Sequence, residues 1–245
     1  MRKIDYEQQK KAHQFRIDIG IGSKEPISFR SLFHKLGIVT VFKEMSEVFS
    51  GMSVKIGDYK FILINTSNPI GRQNFTICHE LYHLFIQRDF TIHRCNTGEF
   101  NKKDKPEYDA DKFASYLLMP EEGIIDIIPD EELKKKNLIT LPTFLKIEQY
   151  YGCSRTALLY RLDCLDLIDL EKYEEFRSNV SKEAKQLGFD PSLYLPDKKD
   201  QVFGEYGELA KRLFDTENIS ETHYANLMRD IGIDIDADLL NHDRS

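Results

Sequence analysis

The sequence predicts an α+β fold, with a small β-sheet laid down early and helices making up the rest of the chain. Three observations lead there. Short apolar, partly β-branched runs at residues 38–42, 52–56 and 59–64 lie close together, the last two flanking Gly57-Asp58 as strands flank a tight turn. Residues 70–86 then run without an internal Pro and with Gly71 only near their start, the texture of a long helix. From Pro106 onward, Tyr108, Phe113, Ala114, Leu117 and Leu118 recur on a helical period until Met119-Pro120 stops it.

The remaining elements follow in order. Residues 3–19 place Ile4, Tyr6, Ala12, Phe15 and Ile19 among charged side chains, an imperfect amphipathic period that ends before Gly20 and Gly22. Ser28 is a cap for a second helix through Phe29, Leu32, Phe33 and Leu36, with Gly37 its natural stop. Beyond Pro142, residues 144–151 and 155–167 read as two helices parted by Gly152-Cys153-Ser154. From Asp169 the chain is polar and helical, broken around residues 188–196. The expected organisation is an N-terminal helix (1–27), a main domain (28–168) and an acidic helical C-terminal region (169–245).

Composition narrows the function. The 245 residues are 41% hydrophobic and include 16 Phe and 12 Tyr, enough to build a core despite 31% charged residues. No run approaches the ~20 apolar residues of a membrane span, and the first residues lack a secretory apolar core, so a cytoplasmic protein with no membrane partner is expected. Cys78, Cys95, Cys153 and Cys164 form no CxxC pair, which disfavours both a disulfide scaffold and a thiolate metal site. The formal charge of −7 is unevenly spread: residues 169–245 hold 10 Lys+Arg against 18 Asp+Glu, a net of −8, leaving the rest close to neutral. Direct nucleic-acid binding is therefore disfavoured.

The chemistry concentrates in His79-Glu80-Leu81-Tyr82-His83. At 3.6 residues per turn the two imidazoles fall on one helix face, about one turn apart, where both can reach one metal ion. Glu80 adjoins the first histidine and can act as a general base without occupying the metal. A catalytic zinc site needs a third protein ligand, and Glu107, 24 residues after His83 on the next helix, is the candidate. Asp111 lies one turn further on the same face, where it can accept a hydrogen bond from a ligand histidine and fix its tautomer. The blander alternative is two helix histidines with no joint task and, in Glu107, Asp109 and Asp111, a solvated acidic face near a helix N-terminus.

Taken together these residues resemble the ImmA/IrrE family of zinc metallopeptidases. The family closes a strand with Asn, places Arg-Gln-x-Phe-Thr before a His-Glu-x-x-His helix, and follows it with Glu-x-x-Ala-Asn/Asp-x-Phe-Ala-x-x-Leu-Leu-Met-Pro. Here those positions are Asn65, Arg72, Gln73, Phe75, Thr76, His79, Glu80, His83, Glu107, Ala110, Asp111, Phe113, Ala114 and residues 117–120. The resemblance covers about residues 28–168 and implies a zincin-like domain. It further implies Zn2+ held by His79, His83 and Glu107, catalysis by Glu80, and a helix-turn-helix repressor as substrate, cleaved to release mobile-element or stress genes. Two departures stand out: Tyr82 replaces a common glycine and is expected to narrow the cleft or touch substrate, and the 27 residues before Ser28 hold no DNA-binding domain, so that function is expected on a separate chain.

Other features rank lower. His93 sits in the connector between the two ligand helices, whereas His13, His34, His223 and His242 have no ligand-like company. Arg72, Tyr82, His93 and Tyr116 are candidates for steadying an oxyanion; Cys78, rotated about 100° from His79, reads as a buried thiol, and Tyr116 equally as core. Residues 144–165 resemble a helix-turn-helix offering Arg155 and Arg161, but Asp163 and Asp166 oppose a DNA role. The acidic run 230–238 lacks the glycine and terminal glutamate of a calcium-binding loop. The competing functions are a non-proteolytic protein that holds a repressor or antitoxin and a DNA-contacting regulator.

Overall fold

The structure, a computed structural model, describes residues 5–46, 48–88, 100 and 103–233. His93, Cys95, His242 and all but the first residues of the acidic run 230–238 lie outside the described residues. The architecture is α+β, as expected, with one small mixed sheet and a helical majority. Helix α1 (Tyr6–Asp18) starts at Asp5, whose carboxylate accepts from the Glu7 and Gln8 amides, and α2 (Phe29–Leu36) stops at Gly37 in the left-handed conformation, φ 59°. Ser28 precedes α2 but makes no side-chain cap, its hydroxyl pairing with Ser31 instead.

Strands β1 (Ile38–Lys43), β2 (Gly51–Ile56) and β3 (Tyr59–Asn65) form the sheet with β4 (Gln201–Phe203), in the order β2-β3-β1-β4. The β2–β3 hairpin is antiparallel, β1 runs parallel to β3, and β4 closes the far edge antiparallel to β1. Alternation along the strands turns Ile38, Thr40, Ile62, Ile64 and Ser53 inward, where they are buried. Val39, Val54 and Phe61, on the opposite face, line an apolar groove of about 340 Å³ together with residues of α10 (Tyr206–Asp215) and α11 (Glu221–Asp230). Asn65 knits the end of β3: its Oδ1 accepts from the Met45 and Ser67 amides, and its Nδ2 donates to the Ser46 and Phe49 carbonyls.

The inner face of the sheet carries α3 (Ile70–Phe85), and α3 packs against α4 (Lys105–Leu118), which in turn packs against α1. Aromatic rings fill the α1–α3–α4 junction, with Phe15 5.6 Å from Phe85 and 5.8 Å from Phe113 between centroids. Arg16 is buried there and donates to the carbonyls of Gly22, Glu25 and Leu117, which satisfy its guanidinium without a carboxylate. After α5 (Glu121–Ile127) and α6 (Asp130–Leu133) come α7 (Leu141–Tyr151) and α8 (Arg155–Cys164), the latter capped by Ser154. Their turn presses on the start of α3: a Cβ at Gly71 would lie 2.8 Å from the Ser154 amide nitrogen, so the close approach requires glycine.

Arg155 and Arg161, the basic residues of the helix-turn-helix-like segment, are 3% and 1% exposed. Arg155 pairs with Glu148, reaches Glu183 of α9 (Val180–Gln186) at 3.3 Å and donates to the Phe176 carbonyl at 3.0 Å. Tyr194 completes the cluster by donating to Glu148 at 2.7 Å. Arg161 donates to the Met119 carbonyl and lies over the Tyr116 ring. Both arginines that a DNA-reading helix would present are engaged inside the protein.

Candidate metal centre

The two histidines project from the middle of α3, where the helix is walled by the sheet on one side and α4 on the other. His79 and Glu80 are fully buried and His83 is 3% exposed. One helical turn brings the rings to 4.8 Å between centroids and their Nε2 atoms to 3.0 Å. Glu107, in the first turn of α4 and 22% exposed at its side chain, sets one carboxylate oxygen 3.1 Å from His79 Nε2 and the other 3.4 Å from His83 Nε2. Ligand atoms of all three residues lie within 4.8 Å of one another.

The far nitrogen of each ring is anchored. Asp111 Oδ1 is 2.9 Å from His79 Nδ1, and since a carboxylate only accepts, that nitrogen carries the proton and Nε2 turns its lone pair to Glu107. The other Asp111 oxygen accepts from the Phe100 amide at 2.8 Å, which fixes the carboxylate in turn. Gln87 does the same for His83, its Oε1 lying 2.5 Å from Nδ1. Desolvation, then the neighbouring His79, lower the His83 pKa, favouring the neutral ring that a ligand requires.

Two imidazole lone pairs and two carboxylate oxygens therefore converge, an all-acceptor set that could hold a divalent cation. Bonds of ~2.0–2.1 Å in a tetrahedral shell separate ligand atoms by ~3.3–3.4 Å; the two Nε2 atoms stand 3.0 Å apart and Glu107 turns a different oxygen to each, at 3.1 and 3.4 Å, so a small rotation of the carboxylate would set one oxygen against both. The donor set, two imidazoles and one carboxylate, is one that zinc accepts.

Glu80 sits on the sheet side of α3, its Oε2 accepting from the Ser53 hydroxyl of β2 at 2.7 Å. Its Oε1 is buried with no hydrogen-bond partner among the described residues. The oxyanion candidates fare differently. Tyr82 is 6% exposed and packs on Phe113 at 5.5 Å, its hydroxyl pKa raised to about 12 chiefly by burial, so it faces the core and not a cleft. Tyr116 accepts from the Asp5 amide, and Arg72 donates to Ser50. Cys78 is a fully buried thiol.

A helix-borne pair of histidines joined by a carboxylate from a second helix, with a buried glutamate beside them, is a group that could hold a metal ion, and the family of the chain is one of metallopeptidase-like domains. Residues 33–163 match the family model Peptidase_M78, described as the IrrE N-terminal-like domain, and the chain belongs to that family, as the resemblance to ImmA/IrrE proteins implied. No curated protein matches the chain. Among the described residues no helix is long and apolar enough to cross a membrane.

Proposed function

We propose that the protein is a zinc-dependent endopeptidase of the cytoplasm, with His79, His83 and Glu107 as metal ligands, Glu80 as general base and Asp111 orienting His79. The observation that carries this reading is the convergence of the two Nε2 atoms on Glu107 while Asp111 and Gln87 hold the opposite nitrogens. A bound zinc supplies Lewis acidity toward an attacking water and a carbonyl oxygen. Glu80 takes the proton from that water and returns it to the departing amine, reversing its role within one turnover. Buried and with Oε1 uncommitted, its carboxylate can accept a proton at one oxygen while the other stays on Ser53.

The substrate we infer is a helix-turn-helix transcriptional repressor, cleaved to derepress genes of a mobile element or a stress response. Family membership supports a protein substrate, and the engagement of Arg155 and Arg161 inside the fold supports a partner that brings its own DNA-binding surface. The test is metal analysis together with incubation against a co-encoded repressor. Wild type is expected to carry one zinc per chain and cut the repressor. Glu80→Gln is expected to keep the zinc and cut at least ~100-fold more slowly. A Glu80→Gln protein that relieves repression in cells as well as wild type would replace the peptidase reading with that of a binding protein.

A further inference from the structure

We propose that Ser53 is a positioning residue for Glu80, holding the carboxylate in the orientation that proton transfer needs; this rests on the reading of Glu80 as general base. Both side chains are buried, Ser53 at 3% exposure and Glu80 at 0%, and the Ser53 hydroxyl donates to Oε2 at 2.7 Å. A hydroxyl has one proton to give, so Ser53 commits one carboxylate oxygen and leaves Oε1, which has no partner among the described residues, as the proton acceptor. A buried carboxylate oxygen left without a donor is a costly feature, and it leaves Oε1 available to accept a proton.

The placement is built into the packing of β2 on α3. Gly51 and Ser53 share the strand face turned to the helix, two residues and ~6.8 Å apart. Thr76 and Glu80 are four residues and ~6 Å apart on the helix. The two spacings match, so the strand meets the helix at two successive points. At the first, a Cβ on residue 51 would lie 2.6 Å from Thr76 Cγ2, so only glycine allows the strand this close. At the second, the same close approach brings the short Ser53 side chain within hydrogen-bond reach of Glu80.

The test uses the full-length, zinc-loaded protein and acetohydroxamate, a small metal-directed ligand whose acidic proton passes to the neighbouring base. Calorimetric titration reads affinity without requiring the substrate. Ser53→Ala is expected to keep one zinc per chain yet bind acetohydroxamate about 10-fold more weakly, as loss of an orienting partner commonly does. Ser53→Thr, which keeps the hydroxyl, is expected to restore binding. In the Glu80→Gln background the Ser53→Ala loss is expected to vanish, because Ser53 acts only through Glu80. Undiminished binding by Ser53→Ala, or the same loss with and without Glu80, would overturn the proposal. If Ser53→Ala does not fold, Ser53→Cys takes its place, since a thiol is a weak donor of similar shape, and wild-type affinity in that variant overturns it equally. A wild-type protein that holds no zinc, or holds it and ignores acetohydroxamate, sinks the peptidase reading itself.

Discussion

Gln87 lies just past the end of α3, where the chain turns back and its amide bonds the Tyr82 carbonyl, and its side-chain oxygen fixes the second imidazole as Asp111 fixes the first. Of the five residues read from the sequence as a site, helical periodicity pairs His79 with His83 and Glu107 with Asp111 and sets Glu80 beside His79, and the packing of α3 on α4 brings the two pairs together. Gln87 stands beyond the end of α3, where helical periodicity no longer holds, and was not readable; nor was Ser53, since its place beside Glu80 depends on how a strand seats on a helix. Asp111→Ala is expected to weaken zinc affinity about 10- to 100-fold with the fold retained, measured by competition with a chelator, because His79 loses the partner that fixes its tautomer. An unaltered affinity would return Asp111 to a structural role. Acid acts through His83. Its pKa is held below the ordinary value of ~6.5, chiefly by burial, so in the metal-free protein the unfolded chain takes up the proton first. Stability then falls as pH drops below about 6.5, a dependence that His83→Asn is expected to flatten when thermal midpoints are compared between pH 7.5 and pH 5.5, on either side of the ~6.5 reference value.

Between elements, the clearest junction is the α7–α8 turn, which presses on Gly71 of α3 and is fastened from outside by Glu183 and Tyr194. Helix patterning at 144–151 and 155–167 anticipated both helices, but not that their charged side chains turn inward, because a guanidinium is buried only where distant carboxylates and carbonyls meet it. Glu148→Ala leaves Arg155 buried without its main counter-charge and is expected to cost about 3–5 kcal/mol in chemical denaturation. A loss below about 1 kcal/mol would place the pair among the weak surface bridges. The hairpin at Gly57-Asp58 and the stop at Gly37 were readable because turn chemistry is local. Strand β4 was not: three residues, Gln201, Val202 and Phe203, become a strand only because β1 offers an unpaired edge and Phe203 packs on Phe33 and Phe42.

At the scale of the whole molecule, charge and fold divide unevenly, since residues 169–245 hold the net −8 yet also supply β4 and two of the partners of Arg155, Glu183 and the Phe176 carbonyl. The same residues thus provide both packing and a negative surface, on which Glu205, Glu208, Glu217 and Glu221 are exposed. If that surface receives a basic repressor, changing these four to Gln is expected to lower affinity and flatten its decline between about 0.05 and 0.3 M salt. Unchanged affinity and salt dependence in the folded variant would move docking to the catalytic cleft. Charge distribution was plain in the sequence, but the sharing of one segment between sheet and surface required the fold. The pairing of β1 with β4 also sets a schedule for the chain as it is made. Thr40 waits for Phe203, and the candidate ligands and Glu80 are all synthesised in the interval. A ribosome therefore releases the helices that carry the candidate ligands while β1 still lacks its outer partner, and an unpaired strand edge is where wrong pairings start. The candidate ligands can gather before β1 is covered, and a nascent chain halted short of Gln201 leaves the outer edge of β1 bare.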